Sequence, residues 1–314
     1  MSILVSVIIP TYNRGHLILD TLKSVQKQSH LDFECFIVDD HSTDNTQDVV
    51  TQFCLKNSKF HYLKRPGNRL KGANACRNFG LQNSNGMYVN WLDSDDLMAV
   101  NHLEEHLAIH HKDEHIIASV SIAGTFKKIM GDREENWSAI FSKNDLIEDM
   151  LTSKVSWQTA AVLWKKEALP IRPFREELSS SQEWTFHLSQ VIDGLRFDSF
   201  NSKTIYVRRH QDRIGNEVSE KKFKSSFTSR YIIFNLLWKK NRLSKPYQKA
   251  LLNKMFQAIK KAIYYKFDNL VFKQILGLLS VFFKTSFKWK LIKIIFFYIP
   301  IYRLTNRGET LFKI

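Results

Sequence analysis

The sequence predicts a doubly wound α/β fold followed by a basic, mainly helical region, and three observations predict it. Between Val5 and Leu92, four apolar runs alternate with stretches of helical periodicity, the pattern of parallel strands joined by crossover helices. Polar and acidic residues follow these runs directly, at the carboxyl ends of the expected strands, where open sheets of this kind bind ligands. The charge then shifts. The 314 residues carry a formal net charge of +15, but from Gly215 onward there are 21 Lys and Arg against 4 Asp and Glu, leaving 25 against 27 before it. The length suits one large α/β domain with an appendage, and 44% hydrophobic residues can fill its core.

Val5 to Ile9 is a β-branched run closed by Pro10, which cannot donate to a ladder, so a buried strand is expected to end there. Thr11-Tyr12-Asn13-Arg14 then forms a loop, Ile18, Leu22 and Val25 mark a helix, and Phe33 to Val38 is a second strand. That strand delivers Asp39 and Asp40. Ser42 or Asp44 can cap the following helix, whose apolar face is Thr46, Val49, Val50 and Phe53. Lys59 to Lys64 is a third strand, Pro66-Gly67-Asn68 a turn, and Lys71 to Asn83 a helix carrying Arg77. Gly86 breaks the pattern before a fourth strand, Met87 to Leu92, which ends in Asp93-Ser94-Asp95-Asp96. Three carboxylates at one strand end need neutralising, and a divalent metal is the natural candidate. Asp96 reads as a cap for the next helix.

A helix over Val100 to Lys112 and a strand over Ile116 to Ile122 follow. Residues 124 to 154 are polar and mixed, with a helix near Lys143 to Leu151, and Trp157 to Trp164 returns to the sheet. Three serines, Ser179 to Ser181, lead into a helix bearing Glu183 in its first turn, where the macrodipole favours a carboxylate on structural grounds alone. Lys203 to Arg209 is a strand ending at His210. Beyond it, helical patterns cover Tyr231 to Trp238, Leu251 to Tyr265, Leu270 to Phe283 and Ile292 to Tyr302. The longest uncharged runs there, Gln274 to Phe283 and Ile294 to Tyr302, fall well short of the ~20 residues of a spanning helix.

The three cysteines, Cys35, Cys54 and Cys76, lack CxxC spacing, which points to neither a disulfide framework nor a cysteine zinc site and suits a reducing compartment. The opening residues lack the basic flank and cleavage site of a signal peptide, so a cytoplasmic protein is expected.

Taken together, Val-Ile-Ile-Pro-Thr-Tyr-Asn-Arg (Val7 to Arg14), Val-Asp-Asp-His-Ser-Thr-Asp (Val38 to Asp44), Ala-Cys-Arg-Asn-Phe-Gly (Ala75 to Gly80) and Leu-Asp-Ser-Asp-Asp (Leu92 to Asp96) resemble the family-2 inverting glycosyltransferases. The resemblance covers about Val5 to Gly215 and implies the GT-A fold, a doubly wound mixed sheet. It divides the chain into a catalytic domain, 1–215, and a basic amphipathic helical region, 216–314.

By that resemblance the enzyme moves a sugar from a nucleoside-diphosphate donor, with UDP favoured, to a hydroxyl of a glycan or lipid-linked acceptor. Mn²⁺ or Mg²⁺ is the implied cofactor, with Asp95 as its ligand and Asp93 near the ribose. Pro10, Thr11, Tyr12 and Arg14 would face the nucleotide, and Asp39 or Asp40 would read its base or ribose. Arg77 would hold the diphosphate or complete the nucleotide pocket, beside Lys71 and Ser94. Glu183 occupies the place of the catalytic base, and His210 stands where related enzymes set a histidine against the metal or diphosphate. Two departures stand out: His41 replaces the usual glycine of the Asp-Asp-Gly-Ser run, and Gln182 replaces the first acid of a Glu-Asp pair.

The tail interleaves aromatics with lysines, the composition of helices lying in a membrane interface. Peripheral association with the inner face of the cytoplasmic membrane is expected, as in bacterial surface polysaccharide synthesis; a helical cap on the core is the plainer reading. No nucleic-acid motif accompanies the charge, so no nucleic-acid partner is expected. A phosphate-ester hydrolase would place its acidic pair after the first strand, whereas here it follows the fourth. A non-catalytic nucleotide-sugar or membrane-binding module is the other alternative.

Overall fold

Val5–Thr11 forms strand β1, buried along its whole length. Its β-branched residues fill both faces of a central position between Phe33–Asp39 (β2) and Tyr88–Trp91 (β4), each parallel to it. Phe60–Lys64 (β3) lies outside β2, also parallel. The strand runs past Pro10, where the sequence predicted its end. Val5 N donates to Asp32 O on the β2 side, so by alternation the missing donor of position 10 belongs to the β4 side. Pairing there has already stopped at Ile8, and the proline costs no ladder bond.

In this computed structural model residues 4–132, 135–139, 142, 145–209 and 218–305 are described. The chain folds as two compact units: Met1–Asn144, Lys154–Glu176 and Gly194–Asn216 form the first, and Asp145–Ser153, Glu177–Asp193 and Glu217–Ile314 the second.

In the first unit the sheet continues past β4 through Val162–Lys165 (β7), Ala118–Phe126 (β6), Phe197–Arg208 (β8) and Leu97–Met98 (β5). β7 is antiparallel to both β4 and β6, β8 is parallel to β6, and β5 is antiparallel to β8. The eight described strands therefore make a mixed sheet, as the resemblance implies, in the order 3-2-1-4-7-6-8-5. Only the last residues of the expected Trp157–Trp164 strand join it, because Thr159–Ala161 turn as a short 3₁₀ segment. Strand β5 was not foreseen: its two residues are too few to show a period.

Helices α1 (Ile18–Gln26), α2 (Thr46–Leu55), α3 (Ala73–Asn83) and α4 (His102–Lys112) cross between strands. A Cβ on Gly80 of α3 would stand 2.4 Å from the Ile8 side chain of β1, so the glycine ending the Ala75–Gly80 motif lets helix and strand approach closely. At the amino edge of the sheet, Glu34 is buried and accepts from Ser6 Oγ at 2.6 Å and from the Asn85 and Gly86 amides at 2.5 and 3.2 Å. Burial raises its pKa, but those bonds outweigh it and hold the carboxyl below its ordinary range.

The second unit is helical. It comprises α5 (Leu146–Thr152), α6 (Gln182–Ile192), α7 (Glu220–Lys239), α8 (Lys245–Tyr264), α9 (Asp268–Val281), α10 (Lys288–Lys293), and α11 (Ile299–Thr305). Asp145 caps α5 by accepting from Glu148 N at 3.1 Å, and the Tyr247 hydroxyl donates to its other oxygen at 2.5 Å. Helices α7 and α8 bury Ile233, Phe234 and Leu237 of one and Leu251, Leu252, Met255 and Phe256 of the other. Between α10 and α11 the helix widens over Ile294–Tyr298, with Ile299 N reaching back to Ile294 O. Pro300 follows directly; it lacks the donor a regular turn needs there, and the wider turn accommodates it.

Candidate active site

The carboxyl ends of β1, β2 and β4 lie side by side in the sheet, and each delivers a polar loop. After β1, Tyr12 leads into Asn13, whose left-handed backbone (φ 50°) turns the chain back. The Asn13 amide donates to Ser42 Oγ at 2.9 Å, the Arg14 amide to Thr46 Oγ1 at 2.8 Å, and the Gly15 amide to Asp44 Oδ2 at 3.1 Å. Asp44 also accepts from Thr46 N at 3.0 Å. It thus serves the first turn of α2 while tying the two loops together. Burial works to raise its pKa, but the bonds from Thr46 and Gly15 prevail and lower it.

Asp39 is fully buried. It accepts from Ser42 N at 3.1 Å, from the Ser42 hydroxyl, and from Tyr62 OH at 2.8 Å. Burial first, then the Asp39 hydrogen bond, pushes the Tyr62 phenol well above its ordinary value. Asp40 is paired with the buried Arg65 guanidinium, which also donates to Pro66 O at 2.9 Å and Arg69 O at 2.6 Å. His41, the departure from glycine, has φ 61°, the left-handed region that glycine occupies at no cost. Its ring meets Arg65 O at 2.9 Å.

After β4, the Asp93-Ser94-Asp95-Asp96 loop is fixed from three sides. Arg77 of α3, 3% exposed, donates to Asp93 Oδ1 at 2.6 Å and to Asn74 Oδ1 at 3.3 Å, with its guanidinium 5.2 Å from the Phe174 ring. Arg14 Nε lies 3.5 Å from Asp95 Oδ2. Asp96 does not cap a helix as expected. It accepts from Arg208 N at 3.0 Å and from Gln158 Nε2 at 3.2 Å, because β5, not a helix, comes next. Arg208 also donates to Asp95 O at 3.1 Å and to Asp20 at 3.0 Å, and lies 4.7 Å from the Phe126 ring.

Thus Pro10, Thr11, Tyr12, Arg14, Asp39, Asp40, Arg77, Asp93, Ser94 and Asp95 come from one edge of the sheet. Lys71 joins them through its ammonium, 4.3 Å from the Tyr12 ring. Thr11 Oγ1 and Arg77 Nε are buried without a partner among the described residues. His210 lies outside the described residues. Arg65 and Arg208 were missed, since neither belongs to a motif; the signal beside Arg208 had been assigned to His210.

Glu183 belongs to the second unit, in the first turn of α6. Its neighbours are held by α7. Arg230 donates to Ser181 Oγ at 2.6 Å and stacks 4.6 Å from the Trp184 ring, while Trp184 Nε1 donates to Met150 O at 2.9 Å. Burial lowers the Arg230 guanidinium to about 10. The residues on both sides of the Gln182-Glu183 pair are therefore fixed.

Among the described residues no three His, Cys, Asp or Glu side chains form a metal cluster. Asp93 and Asp95 are instead two carboxylates of 35% and 19% side-chain exposure, each beside a guanidinium. Hard oxygen donors in this number suit a cation that also binds substrate phosphates.

A mixed sheet in this order, with its acidic pair after β4 on the carboxyl edge, defines a GT-A glycosyltransferase fold. The family description "Glycosyl transferase family 2" matches residues 6–168, and the chain belongs to that family. It is 30% identical over 224 residues to the GalNAc(5)-diNAcBac-PP-undecaprenol beta-1,3-glucosyltransferase of Campylobacter jejuni, covering 67% of this chain and 70% of that one. It is 37% identical over 117 residues to an uncharacterized glycosyltransferase of Rickettsia conorii, of whose length it spans 19%. The solved structure of S. aureus TarS 1-349 in complex with UDP-GlcNAc shares its fold at a TM-score of 0.61 and 18% identity, covering 97% of this chain and 93% of that chain.

Proposed function

We propose that this chain transfers a sugar, with inversion, from a UDP-sugar to a hydroxyl of a lipid-linked glycan at the inner face of the cytoplasmic membrane, with Mn²⁺ or Mg²⁺ held at Asp95. The observation that carries this reading is the carboxyl edge itself, where Asp93 and Asp95 are each matched by a guanidinium beside the β1 and β2 loops. The UDP-GlcNAc complex of S. aureus TarS supports the donor, and the PP-undecaprenol in the name of the C. jejuni relative supports a lipid carrier. Among the described residues no helix is long and apolar enough to cross a membrane, and the basic tail supplies peripheral attraction to an anionic leaflet.

The residues divide the work. Pro10, Thr11, Tyr12 and Lys71 flank the nucleotide, and Asp39 or Asp40 reads its base or ribose. Asp93 and Ser94 lie against the ribose. Arg14 and Arg77 orient the acidic loop and offset the negative charge that grows as the diphosphate departs. When bound, a divalent cation adds Lewis-acid stabilisation of that leaving group. Glu183, assigned by its place in the motif order, takes the acceptor hydroxyl's proton as the oxygen attacks from the face opposite the nucleotide. His210 is assigned to the metal or diphosphate on the same ground.

Transfer from a panel of UDP-sugars to undecaprenyl-diphosphate glycans, with and without Mn²⁺, tests the reading. Asp95→Ala is expected to lose turnover by at least ~100-fold, and Glu183→Gln to lose transfer while still binding donor. Full turnover in EDTA and in Asp95→Ala would refute the metal assignment; full transfer by Glu183→Gln would remove the base.

A further inference from the structure

The last described helical stretch, 288–305, is apolar on two opposite faces. Leu291, Ile294, Ile295, Ile299 and Tyr302 are buried in the second unit. On the other side Trp289, Phe296, Phe297 and Leu304 are 80, 62, 59 and 86% exposed, at helical spacing along one stripe. Helix α9 repeats the arrangement, burying Leu270, Val271, Leu278 and Val281 while Phe272 and Leu276 point outward. Water-facing helices carry polar outer faces, and aromatic stripes of this kind mark an interaction surface.

The charge identifies the partner. Residues 269–305 contain six Lys or Arg and no Asp or Glu. A second copy would bring the same cations against themselves across a two-fold axis. An anionic bilayer attracts them, and Trp and Phe interleaved with Lys are the residues that settle at the boundary between headgroups and acyl chains. Exposed Lys293 sits on the same stripe, between Trp289 and Phe296, where its stem can lie along apolar surface while its ammonium reaches the headgroups. A lysine midway along the stripe also requires the helix to lie in the membrane plane rather than cross it.

We propose that segment 288–305 inserts the Trp289, Phe296, Phe297 and Leu304 stripe into the interface of an anionic bilayer, so that the chain is held by apolar burial as well as by charge. The proposal rests on the peripheral-membrane part of the function above and sharpens it. Attraction by charge alone disappears in salt; insertion does not.

The full chain is incubated with vesicles of equal phosphatidylglycerol and phosphatidylethanolamine and sedimented at low salt and at about 0.5 M NaCl, where screening acts within roughly 4 Å. Binding should persist at high salt, and exposed Trp289 should shift its emission to the blue, a change lost in Trp289→Phe. The double variant Phe296→Ser, Phe297→Ser alters only exposed positions. It should keep the wild-type circular dichroism and bind at least about tenfold more weakly at high salt. Binding at low salt only, equal in wild type and double variant, overturns insertion while leaving charge-driven association standing. No vesicle binding at any salt, or a dimer dissociated by the double variant, overturns both.

Discussion

Acidification should expose the buried imidazoles of α4. His102, His106 and His110 follow one another at four-residue spacing against the sheet. His102 Nδ1 meets Thr204 Oγ1 at 2.8 Å, His106 Nδ1 meets Ser119 Oγ at 2.7 Å, and the His110 ring lies 4.6 Å from that of Tyr88. Burial pushes His102 down to about 3 and His110 to about 4, and holds His106 well below its ordinary value. In the unfolded chain each protonates near 6.5. Between that value and the depressed folded one the unfolded state binds more protons, so stability falls as pH falls, by ~1.4 kcal/mol per pH unit for each histidine. The perturbation is His106→Leu. At pH 7 it should cost about 1–2 kcal/mol, because the Ser119 hydroxyl loses its partner in a buried site. Below pH 6.5 the variant is spared one proton uptake and regains ~1.4 kcal/mol per unit relative to wild type. The two stability curves should cross near pH ~5.5, which urea titrations at several pH values between neutrality and that point can follow. A difference between variant and wild type that stays constant over this range would refute the reasoning.

Arg65→Met leaves the Asp40 carboxylate buried without its cation, and removing one partner of such a pair costs about 3–5 kcal/mol; a loss under ~1 kcal/mol in chemical denaturation would mean water already solvates the pair. Arg77→Lys keeps the charge but cannot span Asn74 and Asp93 as the planar fork does. Calorimetry should find UDP affinity about tenfold weaker with unchanged circular dichroism, and unchanged affinity would reduce Arg77 to a brace for the loop.

The strands that frame the site were legible because β1, β2 and β4 are largely apolar and buried on both faces, which writes them as nearly continuous apolar runs. The positions of Asp93 and Asp95 followed from where the β4 run stops. Strand direction was not legible. The antiparallel insertion of β7 depends on contacts between Tyr88–Val89 and Trp164–Lys165, and nothing local to either segment encodes them. Arg65 and Arg208 escaped for the same reason, since each acts on carboxylates far away in sequence. His41 was visible as a departure, but its cost is a backbone angle, and only the structure gives it. The α4 histidines read as polar residues on an otherwise sensible helix, and their hydroxyl partners lie on β6 and β8.

Arg208 gives the acidic loop a history as well as a shape. Its amide and guanidinium reach Asp96, Asp95 and Asp20 from the end of β8, more than a hundred residues along the chain from the loop. Contacts of such separation close late, after the local βα units have formed. During synthesis β1 to β4 can therefore assemble with Arg77 and Arg14 already beside Asp93 and Asp95, while Asp96 and the Asp95 carbonyl still lack Arg208. The loop acquires its full set of bonds only when β8 docks, so a nascent chain released early would hold a well-formed half sheet whose acidic loop is braced from one side alone.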